Sequence, residues 1–215
     1  MSITSSTDIC NLALDLLSAG TVNNVESPTT PTEELLQRWY QHSRKKVLRT
    51  HSWNCATKRI QLAASSTDPA FGYSKQFQLP SDFIRLLTIN DSTFTTDSPA
   101  RPDLYKLENG FILTSNLFSD SSVLNLLYVY NLESITQMDA LLVDLIVYEV
   151  AMGVAYKVTD GNASVNRIVE LRKAALKIAQ AIDGQESPPK IIQRSRSRHV
   201  RRNNSANTDS HRIIF

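Results

Sequence analysis

Glycine is scarce in this chain, with six in 215 residues. Those six form no GxGxxG, no phosphate-binding loop and no GxSxG. The common backbone cradles for dinucleotides, nucleotide phosphates and acyl-transfer nucleophiles are therefore missing. Cysteine is scarcer still: Cys10 and Cys55 lie far apart and match no metal or redox spacing. They read as two free buried thiols in a reducing compartment. The four histidines, His42, His51, His199 and His211, belong to no HxH, HExxH or Cys/His cluster. No apolar run is long and clean enough to span a bilayer. The best candidate, 140–156, carries Asp144 and Glu149 and reads as a buried helix. The opening MSITSSTDIC lacks a basic region followed by an apolar run, so neither a secretion signal nor a membrane partner is expected. The carboxylates Asp139, Asp144 and Glu149 recur every five residues. At about 100° per residue that spacing spreads them around a helix and does not make an acid/base pair on one face. No catalytic residue, metal or cofactor is expected.

What is present is ordinary in bulk and uneven in detail. Hydrophobic residues make up 41% and charged residues 20%, as in a globular protein with one core or one core plus a small subdomain. The net charge of +2 hides an asymmetry. Segment 190–215 holds seven bases, Lys190, Arg194, Arg196, Arg198, Arg201, Arg202 and Arg212, against one acid, Asp209, a net +6. The remainder holds 16 bases and 20 acids, a net −4. A basic tail on an acidic body implies a partner for the tail.

Helical periodicity occupies both ends of the body. In 7–19, Ile9, Leu12, Ala13, Leu16 and Leu17 fall on one face, with Ser5, Ser6 and Asp8 as cap candidates and Gly20 as a stop. Thr30, Pro31 and Glu33 form a capping box that starts a second helix running to about His51. Its core candidates are Leu35, Leu36, Trp39, Tyr40, Val47 and Leu48. Arg38, Arg44, Lys45, Lys46 and Arg49 are expected on the exposed face or near the C-terminal end, where the helix dipole favours cations. In 139–159, Leu141, Leu142, Leu145, Ile146, Val150, Met152, Ala155 and Tyr156 spread around most of the circumference, which predicts a central helix. In 162–183, Ile168, Leu171, Ala175, Ile178 and Ile182 make one stripe, flanked by Val165, Val169, Leu176 and Ala179, and Gly184 is placed to end the helix.

Between the helix pairs the period changes. Short runs at 57–62, 74–79, 84–89, 104–107, 111–114 and 123–130 are separated by turn formers at 68–69, 80–82, 98–99, 109–110 and 119–122. Asn109-Gly110 is a hairpin signal, because both residues tolerate positive φ. The expected fold class is mainly α: a four-helix bundle body with an inserted small antiparallel β subdomain and an extended C-terminal arm. The expected boundaries are 1–54 for helices 1 and 2, 55–131 for the β-rich subdomain, 132–184 for helices 3 and 4, and 185–215 for the basic arm. The arm has one strongly apolar residue, Val200, between Gln193 and Arg212, too few to offset chain entropy, so it is expected to be disordered alone. The apolar groups Ile191-Ile192 and Ile213-Ile214-Phe215 bracket it and look like anchors that order on a partner.

Several segments together carry a resemblance. They are 3–14 (ITSSTDICNLAL), 44–56 (RKKVLRTHSWNCA), 73–85 (YSKQFQLPSDFIR, with LPSDFIR at 79–85 as a proline–aspartate turn before a strand), the hairpin at 105–114 leading into Ile112-Leu113-Thr114, and the Tyr128 strand followed by an alanine-containing helix pair. In this order, over about residues 3–184, the chain resembles the head-to-tail adaptor family of short-tailed bacteriophages, also called the tail tubular protein A or head completion family. Segment 44–56 is similar to the family's Arg-Leu-Arg then Trp-Asn-Phe-Ala stretch, with Cys55 in place of the usual phenylalanine. The resemblance implies a structural virion protein without enzymatic activity. It implies about twelve copies in a ring beneath a dodecameric portal protein, with the tail nozzle protein below. It also implies a location at the head–tail interface of the virion, and in the host cytoplasm during assembly. In the family, C-terminal extensions reach along the portal. That assigns portal binding to Lys190, Ile191, Ile192, Arg194, Arg196, Arg198, Arg201, Arg202, Arg212, Ile213, Ile214 and Phe215. Contact between this arm and packaged DNA would be incidental. Two other classes remain open: a tail-associated peptidoglycan hydrolase, and a nucleic-acid-binding protein using the basic arm. The arm has bases for phosphates but no aromatic residue for base stacking until Phe215.

Overall fold

Each of the first two helices begins where the sequence supplies a cap. The computed structural model describes residues 3–90, 105–115, 122–158 and 162–186. Helix α1 (Ser6–Leu16) starts at Ser5, whose side chain accepts from Asp8 N while the Asp8 carboxylate accepts from Ser5 N. It stops before Gly20. Ser18 takes positive φ (55°), Ala19 N donates to Leu14 O and Ser18 N to Asp15 O, a Schellman-type closure without glycine. Helix α2 (Pro31–Thr50) has the expected capping box of Thr30 and Glu33. Helices α3 (Ala140–Val158) and α4 (Asn162–Gln185) follow the strands.

The six strands among the described residues are β1 (Thr57–Ala63), β2 (Lys75–Gln78), β3 (Phe83–Ile89), β4 (Tyr105–Glu108), β5 (Phe111–Thr114) and β6 (Val123–Tyr130). They agree with the sequence expectation to within about a residue at most ends. The turns expected at 98–99 and 119–121 lie outside the described residues. Two antiparallel three-stranded sheets result, ordered β1–β6–β3 and β2–β5–β4. The β4–β5 hairpin turns on Asn109 (φ 48°) and Gly110 (φ 79°), the pair expected to do so. Strand β6 alternates. Leu124, Leu126 and Tyr128 point to the second sheet and form a core with Phe77, Ile89 and Ile112. Val129 and, just beyond the strand, Leu132 enter the helical core instead. A single strand with two apolar faces therefore joins the two cores.

Of the described residues, 49% are helical and 22% lie in strands, so the fold is mixed α/β. The expectation of a mainly α four-helix bundle is overturned. The helices do not pack as four equivalent members: α1, α2 and α4 each lie against α3, and α1 and α4 make little contact with one another. The sheets have a core of their own and also complete the helical one. Helix α3 is central because it buries residues on most of its circumference, including Leu142, Leu145, Ile146, Val150 and Ala155. Tyr156, expected in the core, is 92% exposed.

Two helices are rotated relative to the stripes that periodicity picks out. On α1 the buried face is Ile9, Cys10, Ala13, Leu14 and Leu17, and Leu12 and Leu16 are exposed. On α4 the inward face runs through Val165, Ile168, Arg172, Ala175, Leu176 and Ala179, while Leu171, Ile178 and Ile182 face out. Both helices carry apolar residues around more than one face, so periodicity does not decide which face is buried. On α4 an ion pair of Arg172 with Glu149 of α3 helps to decide it, drawing a charged position inward.

Candidate interaction surfaces

The residues expected to bind the portal, Lys190, Ile191, Ile192, Arg194, Arg196, Arg198, Arg201, Arg202, Arg212, Ile213, Ile214 and Phe215, all lie outside the described residues. The surfaces that follow belong to the body, and its charged groups fall into two sets.

The first set centres on buried groups and joins elements. Arg44, expected on the exposed face of α2, is 3% exposed. Its Nη2 donates to Glu133 Oε1 at 3.0 Å and to Asn131 Oδ1 at 3.3 Å, and its guanidinium lies 5.5 Å from the centroid of the Tyr40 ring. It ties α2 to the connection between β6 and α3. Glu149 of α3, 4% exposed, pairs with Lys46 of α2 at 2.8 Å and with Arg172 of α4. One carboxylate thus holds three helices. At the end of α2, His51 Nε2 lies 2.9 Å from Asp183 Oδ2, and Asn54 N donates to Asp183 Oδ1 at 2.8 Å. Trp53 fills the corner, with its indole N–H donating to Val47 O. Glu33 closes the loop before α2. Its carboxylate accepts from the backbone N–H of Thr29, Thr30, Asn24 and Asn23 at 2.8–3.3 Å. Hydrogen bonds from Thr29 and Asn24 are the largest influences that lower its pKa, to about 2.

Asp82, Glu133 and Asp139 are each engaged by neighbouring groups of the fold. Asp82 and Glu133 both line an open cleft of about 470 Å³ with Ser81, Tyr130, Asn131 and Gln137. Asp82 accepts from Tyr128 Oη at 2.8 Å and Lys58 Nζ at 2.9 Å. Burial alone would raise the Asp82 carboxyl, but Lys58 and Tyr128 outweigh it and hold it below its usual value. Glu133 serves Arg44. Asp139 caps α3 by accepting from Leu141 N at 2.8 Å. A second opening, about 390 Å³ over the first sheet, is lined by Arg59, Ile60, Gln61, Thr88, Asn125, Leu126 and Leu127 and contains no carboxylate. Among the described residues no group of three or more His, Cys, Asp and Glu is placed to hold a metal ion. Nor is any described helix long and apolar enough to cross a membrane.

The second set lies on two outer helix faces that periodicity alone does not single out as surfaces. On α1, Leu12 and Leu16 are exposed one turn apart, beside Asp15. The first 37 residues contain five acids and no Lys, Arg or His, a sequence signal that marks this side of the molecule. On α4, Leu171, Ile178 and Ile182 form an exposed row with Ala174. Arg167, Lys173 and Lys177 are exposed on the same helix.

No family model matches the chain, and no curated protein matches it significantly.

Proposed function

We propose that this chain is a head-to-tail adaptor of a short-tailed bacteriophage, a structural virion component without enzymatic activity. About twelve copies form a ring that binds the portal protein dodecamer and provides a platform for the tail nozzle protein. The arm 190–215 clasps the portal, its apolar ends seated against portal subunits and its bases available for incidental contact with packaged DNA. The observation that carries the reading is where the family-like segments fall. Segment 44–56 contains Arg44, His51, Trp53 and Asn54, which tie α2 to the β6–α3 connection and to α4. Segment 73–85 contains Asp82, which anchors the start of β3 to Tyr128 and Lys58. Segment 105–114 is the β4–β5 hairpin. The resemblance therefore runs through joints on which the fold depends. A polar, ion-paired body suits a subunit that stays soluble until a portal displays its docking surface.

The test uses portal dodecamers of the same phage, viewed by electron microscopy with the full chain and with a chain ending at Gln185. The full chain should cap portals with a ring. The shortened chain should unfold at an unchanged urea midpoint and leave portals bare. Normal capping by the shortened chain would remove the role of the arm, and failure of the full chain to bind portals would remove the adaptor reading. The seven bases of 190–215 favour a second reading, nucleic-acid binding, which predicts retention on DNA that falls steeply with salt.

A further inference from the structure

We infer that α1 of one copy docks on the outer face of α4 of the next copy, making a head-to-tail interface between chains. The inference rests on the self-assembling reading above and names the two faces that meet. Both helices bury one apolar face against α3 and leave a second one outward: Leu12 and Leu16 on α1, and Leu171, Ile178 and Ile182 on α4. On α1 the two leucines are four residues apart, so they form a short ridge. On α4 the exposed residues lie at i, i+7 and i+11, with Ala174 at i+3, which makes a longer row with a shallow place for a ridge to enter.

Charge selects the pairing. The α1 ridge is flanked by Asp8 and Asp15, in a stretch of 37 residues without a base. The α4 row has Arg167 one turn before Leu171 and Lys177 along its edge, and the one acid between them, Glu170, is paired with Lys173 at 2.7 Å, which leaves the rim net basic. Joining α1 to α1, or α4 to α4, would place like charges together at the rim. Joining α1 to α4 places Asp15 near Lys177 and covers both apolar rows. Within one chain α1 and α4 make little mutual contact, so the two faces are left to meet between copies. An interface between two different faces is heterologous, and it closes into a ring if the rotation between neighbours divides a full turn.

Disulfide trapping tests this. Full-length chains carrying Leu16→Cys, Ile178→Cys or both are oxidised and run on non-reducing gels. The unsubstituted chain, with Cys10 buried and Cys55 partly buried, is the blank. The double variant should give a ladder of many-chain products. A mixture of the two single variants should give only dimers, and each single variant alone should stay monomeric. Asp15→Lys or Lys177→Glu should each lower ladder yield about fivefold in the double-cysteine background, and the two together should restore it. These positions are exposed, and urea unfolding of each variant checks that the fold is kept. Absence of a ladder, or a single variant that dimerises as well as the mixture, overturns the inference. Micrographs of the untreated chain separate it from the adaptor reading. Rings without a ladder leave the adaptor and remove this interface. A ladder without rings or portal capture leaves the interface and removes the adaptor.

Discussion

Replacing Glu149 by alanine removes the one carboxylate that joins α2, α3 and α4, and the structure sets unequal costs for its partners. Glu149 is 4% exposed, Arg172 20% and Lys46 53%. Lys46 can turn to water when its partner is lost, but Arg172 remains mostly enclosed with its charge unmatched. Removing one member of a buried pair costs roughly 3–5 kcal/mol. The partial exposure of Arg172 places Glu149→Ala at the lower end, about 3 kcal/mol. Lys46→Ala leaves Glu149 paired with Arg172 and removes an ion pair that is half in solvent, a loss below about 1 kcal/mol. Glu149→Leu combined with Arg172→Leu removes both charges and should recover most of the loss, since buried pairs are often replaced by apolar groups at little cost. Urea unfolding followed by circular dichroism measures all three. With m of about 2 kcal/mol/M, Glu149→Ala should lower the midpoint by roughly 1.5 M at unchanged m, and Lys46→Ala by under about 0.5 M. Equal shifts for the two single variants would refute the reasoning, as would a double-leucine variant less stable than Glu149→Ala.

Gly153→Ala tests close packing. A Cβ there would run into the six-membered ring of Trp39, so overpacking of about 1–3 kcal/mol should exceed the roughly 1 kcal/mol gain in helix propensity. The net loss should vanish in a Trp39→Leu background when both are compared by thermal unfolding. Glu33→Gln tests a pH dependence. The folded pKa of Glu33, about 2, lies below the ordinary glutamate value of 4.5, so its stabilisation is complete above about pH 4.5 and disappears as pH falls towards 2. The difference in urea midpoint between the native chain and the variant should close over that window, and a constant difference would refute the assignment.

Local physics makes much of the chain legible in its residues. Caps at Thr30 and Ser5, the positive-φ pair Asn109-Gly110 and the change from helical period to short strands are decided by a few neighbouring residues, and they place most element ends. The absence of nucleophile, metal and phosphate-loop patterns is equally readable. What stays hidden depends on residues far apart in sequence. Arg44 reads as a surface cation until Glu133, 89 residues away, is brought beside it. Nothing in the sequence joins Glu149 to Arg172 until α3 and α4 pack and make each the other's counter-ion. That pairing also helps to fix which way α4 turns, and so which apolar row it exposes. A helix with apolar residues on two faces has no intrinsic preference for burying one of them. The sequence by itself therefore determined the elements and their order. Only tertiary packing decided that the sheets build a core of their own while completing the helical one, and which faces of α1 and α4 remain outside, because those outcomes are set by contacts between elements rather than within them.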